Sequence, residues 1–292
     1  MILELKGIYK EYQQGKMKVP VLKDVNFSME EGEYVAIMGP SGSGKTTLMN
    51  IIGCLDKQTE GTFFLDGVDI KACSENEMSD IRLNKIGFVF QSFHLLPKQS
   101  ALANVEMPLN YARVPKKERR ERALKALDRV GLADRVDFKP NQLSGGQKQL
   151  LNLAATMVMG PEILILDEPT AQLDPIAAEN FLGTLKKIND ELGITVILSE
   201  HRLDNVLAYG NKVIVMDSGK IQYCGEPYKI LEHNIDEDVL KLMPMATRIY
   251  YESGMEGADE KTPISISDGR RWLERLVKNG SKNVEDIEKG LD

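Results

Sequence analysis

The sequence predicts an α/β fold whose core is a mainly parallel β-sheet. Apolar runs typical of strands alternate with helix-like segments, which is the order that gives a parallel sheet covered by helices on both faces. One apolar run, at residues 34–38, leads into a glycine-rich turn and then a helix. Another, at residues 163–166, ends in two carboxylates. Because parallel sheets bind ligands at the carboxyl ends of their strands, these carboxylates mark a candidate site.

Bulk composition is that of an ordinary globular protein of 292 residues, with 42% hydrophobic and 28% charged residues. That length allows one large domain or two small ones. No apolar run approaches the ~18 residues that span a bilayer, and the charged first ten residues do not resemble a signal peptide, so we expect any membrane role to be peripheral. The formal net charge of −7 argues against a general nucleic-acid binder. Three widely separated cysteines suggest neither disulfides nor a zinc site.

The amino-terminal part predicts antiparallel strands. Residues 2–8 and 21–29 alternate as strands do, with a polar loop around residues 13–16, and residues 61–70 predict a short hairpin. Tyr12 lies at the approach to the polar loop. Its ring suits either stacking on a purine base or packing at the end of a strand, and the spacing allows both.

The sequence GPSGSGKT at residues 39–46 fits a phosphate-binding loop. A strand that feeds a glycine-rich turn into a helix directs several backbone N–H groups at one point, where the helix dipole favours an anion. Lys45 adds a positive charge for the β- and γ-phosphates, and Thr46 adds a hydroxyl of the kind that ligates Mg²⁺. The alternative, a glycine-rich surface turn, is disfavoured by the strand and helix on either side.

Residues 86–90 predict an apolar strand that ends at Gln91, and residues 100–136 then turn helical. Within this stretch, charges of alternating sign at residues 116–122 indicate a solvated helix face. The helical stretch resembles an insertion into the α/β core.

The sequence LSGGQ at residues 143–147 predicts the start of a helix that runs to about residue 159. Ser144 is the predicted N-cap. The N–H groups beside Gly145 and Gly146 make a second potential anion site.

The apolar run at residues 163–166 predicts a strand covered on both faces, with Asp167 and Glu168 at its end. Two carboxylates there are costly unless they handle a cation or a proton. Beside a phosphate loop, Asp167 would hold Mg²⁺ directly or through water. Glu168 would take a proton from, or orient, the water that attacks the γ-phosphate. The alternative is a pair that caps the next turn.

The rest of the predicted core continues the alternation of helix and strand. Residues 175–192 predict a helix, residues 194–198 predict a buried strand followed by His201, and two further strands at residues 213–216 and 221–223 close the core.

Beyond residue 226 the periodic pattern weakens. Residues 253–264 are rich in Gly, Glu, Asp and Lys and predict a loop. Residues 268–277 predict a short helix that carries the only tryptophan, Trp272. We expect the polar segment 278–292 to fray.

Taken in order, these motifs resemble those of the ATP-binding cassette (ABC) ATPases, and the resemblance covers residues 1 to about 225. Four motifs carry it: the Walker A motif GPSGSGKT at 39–46, the family signature LSGGQ at 143–147, the Walker B motif ILILDE at 163–168 and the D-loop AQLD at 171–174. Three single residues take family positions: Tyr12 as the base-stacking aromatic, Gln91 as the Q-loop glutamine and His201 as the switch histidine.

The resemblance implies a P-loop NTPase fold of the ABC type, with ATP and Mg²⁺ as cofactors. It implies catalytic roles for Glu168, His201 and Gln91. It implies Thr46, Gln91 and Asp167 as the residues that hold the metal. The residues implied to bind the nucleotide are Tyr12, Gly39, Ser41, Gly42, Ser43, Gly44, Lys45, Thr46, Thr47, Ser144, Gly145, Gly146, Gln147 and Asp174.

The resemblance also implies two partners. A second ABC ATPase domain, in a homo- or heterodimer, would pair head to tail with this one, so that its signature closes over ATP held by Lys45 and Thr46. His201 and Gln91 would sense the γ-phosphate, and hydrolysis would release the interface. An integral membrane permease would be held by the helical insertion at about residues 92–160.

These partners imply a peripheral subunit on the cytoplasmic face of the cell membrane. An antiparallel β subdomain begins the expected ATPase domain, residues 1–225, and residues 226–292 form the expected C-terminal extension. No direct contact with nucleic acid is expected.

The two parts of the chain resemble two different subtypes of ABC ATPase. Residues 1–147 resemble the ATPases of lipoprotein release and macrolide export, through MNIIGCLDK and GFVFQSFHLL. Residues 148–292 resemble the energy-coupling-factor importers, through ILSEHRLDNV and SDGRRWLERL, which is the pattern of a mosaic. Leu150 and Ala155 stand where many family members carry arginines.

Two alternative functions come from other classes. One is a soluble ABC ATPase that acts on nucleic acid or ribosomes, against which the single cassette and the net acidity argue. The other is a catalytically silent regulatory module, against which Glu168 and His201 argue.

Overall fold

A computed structural model describes residues 1–200, 206–232, 237–254 and 261–278. Its strands are β1 (Leu3–Gln14), β2 (Met17–Met29), β3 (Tyr34–Met38), β4 (Glu60–Leu65), β5 (Val68–Asp69), β6 (Ile86–Phe90), β7 (Ile163–Asp167), β8 (Thr195–Ser199), β9 (Lys212–Asp217) and β10 (Lys220–Gly225). Its α-helices are α1 (Lys45–Ile52), α2 (Glu75–Lys85), α3 (Ala101–Tyr111), α4 (Lys116–Arg129), α5 (Gly145–Met157), α6 (Pro175–Leu192), α7 (Glu237–Leu240), α8 (Met245–Glu252) and α9 (Ile266–Lys278).

The strands form two sheets. The smaller sheet is antiparallel, in the order β2-β1-β4-β5. The larger sheet has the order β10-β9-β3-β8-β7-β6, in which β9, β3, β8, β7 and β6 run parallel and β10 pairs antiparallel at the edge. The predicted fold class is confirmed.

Both faces of the parallel sheet are covered, as the continuous apolar runs predict. Along β3, Tyr34, Ala36 and Met38 pack into one hydrophobic cluster, while Val35 and Ile37 pack into the other. Successive side chains of a strand point to opposite faces, so a strand covered on both sides needs an apolar residue at every position.

The segment predicted to be helical contains α3 and α4, which pack against each other and against α5. The helix α2 was not predicted, because its sequence is polar and only Met78 is buried. Its start is fixed by a capping box, in which the Ser74 side chain accepts a hydrogen bond from the Glu77 N–H and the Glu77 carboxylate accepts one from the Ser74 N–H.

The amino-terminal hairpin is longer than predicted. Half of the predicted polar loop, residues 13 and 14, belongs to β1, whose pairing with β2 continues to Gln14 and Met17 on either side of a tight turn at residues 15 and 16. Side chains at this end of the hairpin are exposed on both faces, so no apolar alternation marks the strands there. Tyr12 is therefore a strand residue.

Part of the carboxyl-terminal tail packs on the larger sheet, and α8 and α9 pack on each other. The tail contributes Ile230, Val239 and Met243 to the hydrophobic cluster that covers one face of the sheet. The ring of Trp272 on α9 meets the ring of Tyr250 on α8 edge-on, with 5.4 Å between ring centres.

The helix predicted around Trp272 is confirmed as α9, whereas α7 and α8 were not predicted. The predicted loop at residues 253–264 falls partly, and the segment 278–292 almost entirely, outside the described residues. Among the residues that the structure describes, no helix combines the length and apolar character needed to cross a membrane.

Candidate functional site

The ends of four neighbouring parallel strands bring one group of the predicted site residues together. In the sheet register, Phe90 of β6 pairs with Asp167 of β7, which pairs with Ser199 of β8. Gln91 and Glu168 therefore follow adjacent strands at the same edge, and the loop 39–44 leaves β3 at that edge as well. This edge is where parallel sheets bind ligands.

The loop 39–44 needs glycine at two positions. Gly39 has φ +149°, and a Cβ built on it would lie 2.1 Å from the carbonyl oxygen of Met216. Gly44 has φ +101°, and its Cβ would lie 2.8 Å from a methyl group of Leu22. Side chains at these positions would collide with β9 or β2, so the loop backbone packs close against both strands.

Lys45 folds back over this loop. Its ammonium group donates hydrogen bonds to the carbonyl oxygens of Gly39 at 2.7 Å and Pro40 at 3.1 Å, and the residue is buried. Burial lowers the pKa of Lys45, while the carboxylates of Glu168 and Asp167 act in the opposite direction. The lysine charge is thus held inside the loop and within electrostatic range of the strand-end carboxylates.

The start of α1 is prepared for an anion. Gly44 at its N-cap supplies no side chain to cap the helix, and the first turn carries no acidic residue. The hydroxyl of Ser43 is buried without a hydrogen-bond partner. Buried hydroxyl groups are costly without a partner, so an oxygen-rich ligand in the loop would satisfy it. Thr46 is exposed and Thr47 half-buried in the same helical turn.

Asp167 and Glu168 are both fastened to β8 through Ser199. The Ser199 hydroxyl donates to the Asp167 carboxylate at 2.6 Å and accepts from the Glu168 N–H at 3.1 Å. Glu168 has φ +48°, a left-handed conformation that costs energy in a residue other than glycine. Such strain, held in place by neighbours, is frequent at functional sites.

Two buried polar residues beside these carboxylates escaped the sequence analysis. Glu200 accepts hydrogen bonds from the N–H and the hydroxyl of Thr170, at 3.0 and 2.8 Å. Gln149 on α5 donates from its amide to the carbonyl oxygen of Pro169 at 2.8 Å and to that of Phe90 at 3.4 Å. Each residue has polar neighbours in the sequence, so neither stands out there.

The predicted N-cap at Ser144 is confirmed. Its hydroxyl accepts from the Gln147 N–H at 3.2 Å, and the Gln147 side chain accepts from the Ser144 N–H at 3.0 Å. A Cβ on Gly146 would lie 2.9 Å from the Cβ of Ala177, so α5 starts in close contact with α6. Asp174 caps α6 by accepting from the Ala177 N–H at 2.9 Å.

The predicted site residues thus fall into three groups. The loop 39–46 with Thr47, Gln91, Asp167 and Glu168 lies at the edge of the parallel sheet. A second group lies at the starts of α5 and α6 and consists of Ser144, Gly145, Gly146, Gln147 and Asp174. Tyr12 lies on β1 in the antiparallel sheet, partly exposed, with its hydroxyl bonded to Asp56. His201 lies outside the described residues.

Comparisons with known proteins agree with this arrangement. A family model described as ABC transporter matches residues 22–171. The uncharacterized ABC transporter ATP-binding protein YvrO of Bacillus subtilis is 49% identical over 216 residues, which cover 74% of this chain and 94% of that protein.

Two solved structures are also similar. One is the ATP-binding cassette MJ0796 of Methanocaldococcus jannaschii in a dimeric post-hydrolysis state bound to ADP and Pi, with a TM-score of 0.69 and 41% identity over 77% of this chain and 98% of that chain. The other is cbiO1 from Clostridium perfringens, part of the ABC transporter complex cbiONQ, with a TM-score of 0.73 and 32% identity over 82% of this chain and 93% of that chain.

Proposed function

The chain belongs to the ABC transporter family, and we propose that it is the ATP-binding and ATP-hydrolysing subunit that drives a membrane permease through nucleotide-dependent closure of a dimer. One observation carries the proposal. The glycine-rich loop that holds Lys45 and the strand end that carries Asp167 and Glu168 lie at the same edge of one parallel sheet.

The loop 39–46 fits the triphosphate of ATP. Lys45 supplies a cation, and the first turn of α1 supplies N–H groups that no side chain caps. The buried Ser43 hydroxyl lacks a hydrogen-bond partner, which a ligand could supply. The other residues proposed to line the phosphates are Gly39, Ser41, Gly42, Gly44, Thr46 and Thr47.

The oxygen donors near this loop fit Mg²⁺. Among the described residues no three His, Cys, Asp or Glu side chains form a metal cluster. Mg²⁺ is commonly held by one or two protein oxygens together with substrate phosphates and waters, which matches Asp167 and Thr46 with Gln91 nearby. When bound, the ion would neutralise charge on the phosphate oxygens.

Glu168 is the proposed general base. Its N–H donates to the Ser199 hydroxyl, which fixes the backbone of Glu168 at the strand end. It would hold the attacking water and accept its proton at a carboxylate oxygen. Gln91, exposed after β6, and His201 are proposed to sense the γ-phosphate.

The second group of residues is proposed to act across a dimer. The partner's Ser144, Gly145, Gly146 and Gln147 would close over the nucleotide held by this chain, and Asp174 would lie at the interface beside them. The capping box and the close approach of Gly146 to Ala177 hold the start of α5 in place, which suits this role. The dimeric post-hydrolysis state of the relative with ADP and Pi supports this arrangement.

The remaining partner is a permease. The helices α3, α4 and α5 pack into one unit that we propose as its docking site, which would place the subunit peripherally on the cytoplasmic face of the membrane. The cbiO1 relative belongs to an ABC transporter complex, which supports this kind of partner. The exporter-like first part, residues 1–147, and the importer-like second part, residues 148–292, stay a proposal that rests on the sequence resemblance.

A membrane pull-down with the full chain tests the transport role. We expect mass spectrometry to identify a polytopic membrane protein that is retained specifically by the wild-type chain. A permease with a large extracytoplasmic domain would favour the export type, and a small helical coupling protein with a substrate-binding subunit would favour the import type. Recovery of ribosomal or DNA-bound proteins, in place of a membrane protein, would contradict the proposal.

A further inference from the structure

Tyr12, Asp56 and Lys10 form a hydrogen-bonded triad, which we call the Tyr12 triad. The Tyr12 hydroxyl donates to Asp56 Oδ2 at 2.8 Å, and the Lys10 ammonium donates to Asp56 Oδ1 at 2.5 Å. The same ammonium also donates to the carbonyl oxygen of Lys57 at 2.6 Å. Asp56 therefore joins two residues of β1 to the segment that follows α1.

The triad is fixed by burial of its cation. Lys10 is only 8% exposed, and a buried ammonium group is costly without a charged partner, so it holds the Asp56 carboxylate in place. Burial would raise the pKa of Asp56, but hydrogen bonds from Lys10, Tyr12 and the Lys57 N–H hold it below its usual value. Burial and the bond to Asp56 raise the pKa of Tyr12. At neutral pH the phenol is thus a donor and the carboxylate an acceptor.

One face of the Tyr12 ring carries a neighbouring cation. The Lys10 ammonium lies 4.8 Å from the ring centre, over one face of the ring, while the side chain as a whole remains 38% exposed. A planar ligand that stacks on this tyrosine would therefore use the opposite face.

The helix α1 connects the triad to the phosphate loop. Lys45 is its first residue, and Asp56 follows its last turn after a short bend. One rigid element thus sets both the position of the phosphate-binding lysine and the position of the carboxylate that holds Tyr12.

We propose that Asp56, held by Lys10, is a positioning residue that fixes the Tyr12 ring as a platform for the nucleobase at a set distance from the phosphates. The inference rests on the proposed function, because it takes ATP as the ligand. A side chain ordered before binding spares the ligand the entropic cost of ordering it, which corresponds to about a 2- to 10-fold gain in affinity.

Titration calorimetry of the full chain with ATP and with tripolyphosphate, both without Mg²⁺ to prevent hydrolysis, tests the inference. Tripolyphosphate has no base, so it reports the phosphate loop alone. We expect Tyr12→Phe, which keeps the ring but loses the hydroxyl, to weaken ATP binding by about 2- to 10-fold and to leave tripolyphosphate binding unchanged. Asp56→Asn should show the same selective loss. Tyr9→Phe, on the same strand and outside the triad, is the matched control and should change neither affinity.

Three results would overturn the inference. The first is a Tyr12→Phe variant that binds ATP as tightly as wild type, together with a Tyr12→Ala variant that loses ATP affinity but not tripolyphosphate affinity. This would mean that the ring contributes to binding and that its hydrogen bond to Asp56 does not. The second is an equal loss of ATP and tripolyphosphate binding in Tyr12→Phe, which would assign the triad to folding alone. The third is a wild-type chain that binds neither probe. That last result would overturn the proposed function as well, so the two failures are distinguishable.

Discussion

Glu200 and Thr170 are joined by two hydrogen bonds to one oxygen atom. The Glu200 Oε1 accepts from the Thr170 N–H at 3.0 Å and from its hydroxyl at 2.8 Å, and Glu200 is 4% exposed. Thr170 lies just after Glu168 in the turn that leaves β7, while Glu200 follows β8. The bonds therefore connect the turn behind the proposed base to the segment that leads into residue 201.

We expect Glu200→Ala to lower the free energy of unfolding by about 1–3 kcal/mol, because two half-buried donors of Thr170 lose their acceptor. Thr170→Val should cost about 1 kcal/mol, since it removes one donor. Urea denaturation of both single variants and the double variant gives the coupling energy, which we expect to be at least about 0.5 kcal/mol. Glu200→Gln, which retains the acceptor oxygen, is the control. Strictly additive losses would contradict the pairing.

The tight packing of the loop 39–44 predicts a difference between two glycines that both have positive φ. Gly39→Ala should lower the free energy of unfolding by about 3 kcal/mol or more, because its Cβ would strike the Met216 carbonyl oxygen. Gly67 has φ +74° and open space around it, so Gly67→Ala should cost only about 1 kcal/mol. Urea denaturation measures both, and equal losses would mean that the loop yields to the added methyl group.

Elements whose structure is decided by local chemistry could be predicted from the sequence. The helix α6 has the predicted bounds because Asp174 caps it and Gly193, with φ +66°, ends it. The strand β7 was recognisable because burial on both faces demands an unbroken apolar run. The glycine-rich loop was recognisable because phosphate binding demands small residues, a lysine and a hydroxyl in fixed order.

Contacts between distant segments could not be predicted in this way. Examples are the hydrogen bond from Gln149 to Pro169, the bond that Ser199 donates to Asp167, the bond that Ser199 accepts from Glu168, and the bonds of the Tyr12 triad, all of which join residues far apart in the sequence. Each residue alone is an ordinary polar side chain, and its role depends on which strands and helices become neighbours. The same reason applies to α8, which packs against α9.

Lys45→Ala should weaken ATP binding by about 10- to 100-fold, because the variant loses the buried cation that the loop holds for the phosphates. Titration calorimetry measures the affinity. Lys212→Ala is a suitable control, since Lys212 also has a half-buried ammonium group, which donates to Ser28 and Glu33 outside the site. An unchanged ATP dissociation constant in Lys45→Ala would contradict the assignment of the phosphate loop.

Glu168→Gln should reduce ATP turnover by about 10²- to 10⁴-fold, because an amide cannot accept the proton of the attacking water. ATP binding should persist, so the variant should accumulate as an ATP-bound dimer in size-exclusion chromatography. The control is Glu162→Gln, at the opposite end of β7, where Glu162 is exposed and ion-paired with Lys85. Steady-state hydrolysis at the wild-type rate in Glu168→Gln would show that Glu168 is not the general base.

Ser144→Ala separates helix capping from the proposed action across a dimer. Ser144 caps α5 and Ser100 caps α3 through the same bond, in which the hydroxyl accepts from the N–H three residues on. Either change to alanine should therefore lower the free energy of unfolding by about 1 kcal/mol. Only Ser144 is proposed to contact nucleotide held by a partner, so only Ser144→Ala should weaken ATP-driven dimer formation in the Glu168→Gln background. Sedimentation velocity at graded ATP concentrations measures this. If both variants shift the dimerisation midpoint equally, Ser144 acts only through the stability of the chain. The proposal that residues 144–147 close over a nucleotide held by the partner would then be wrong.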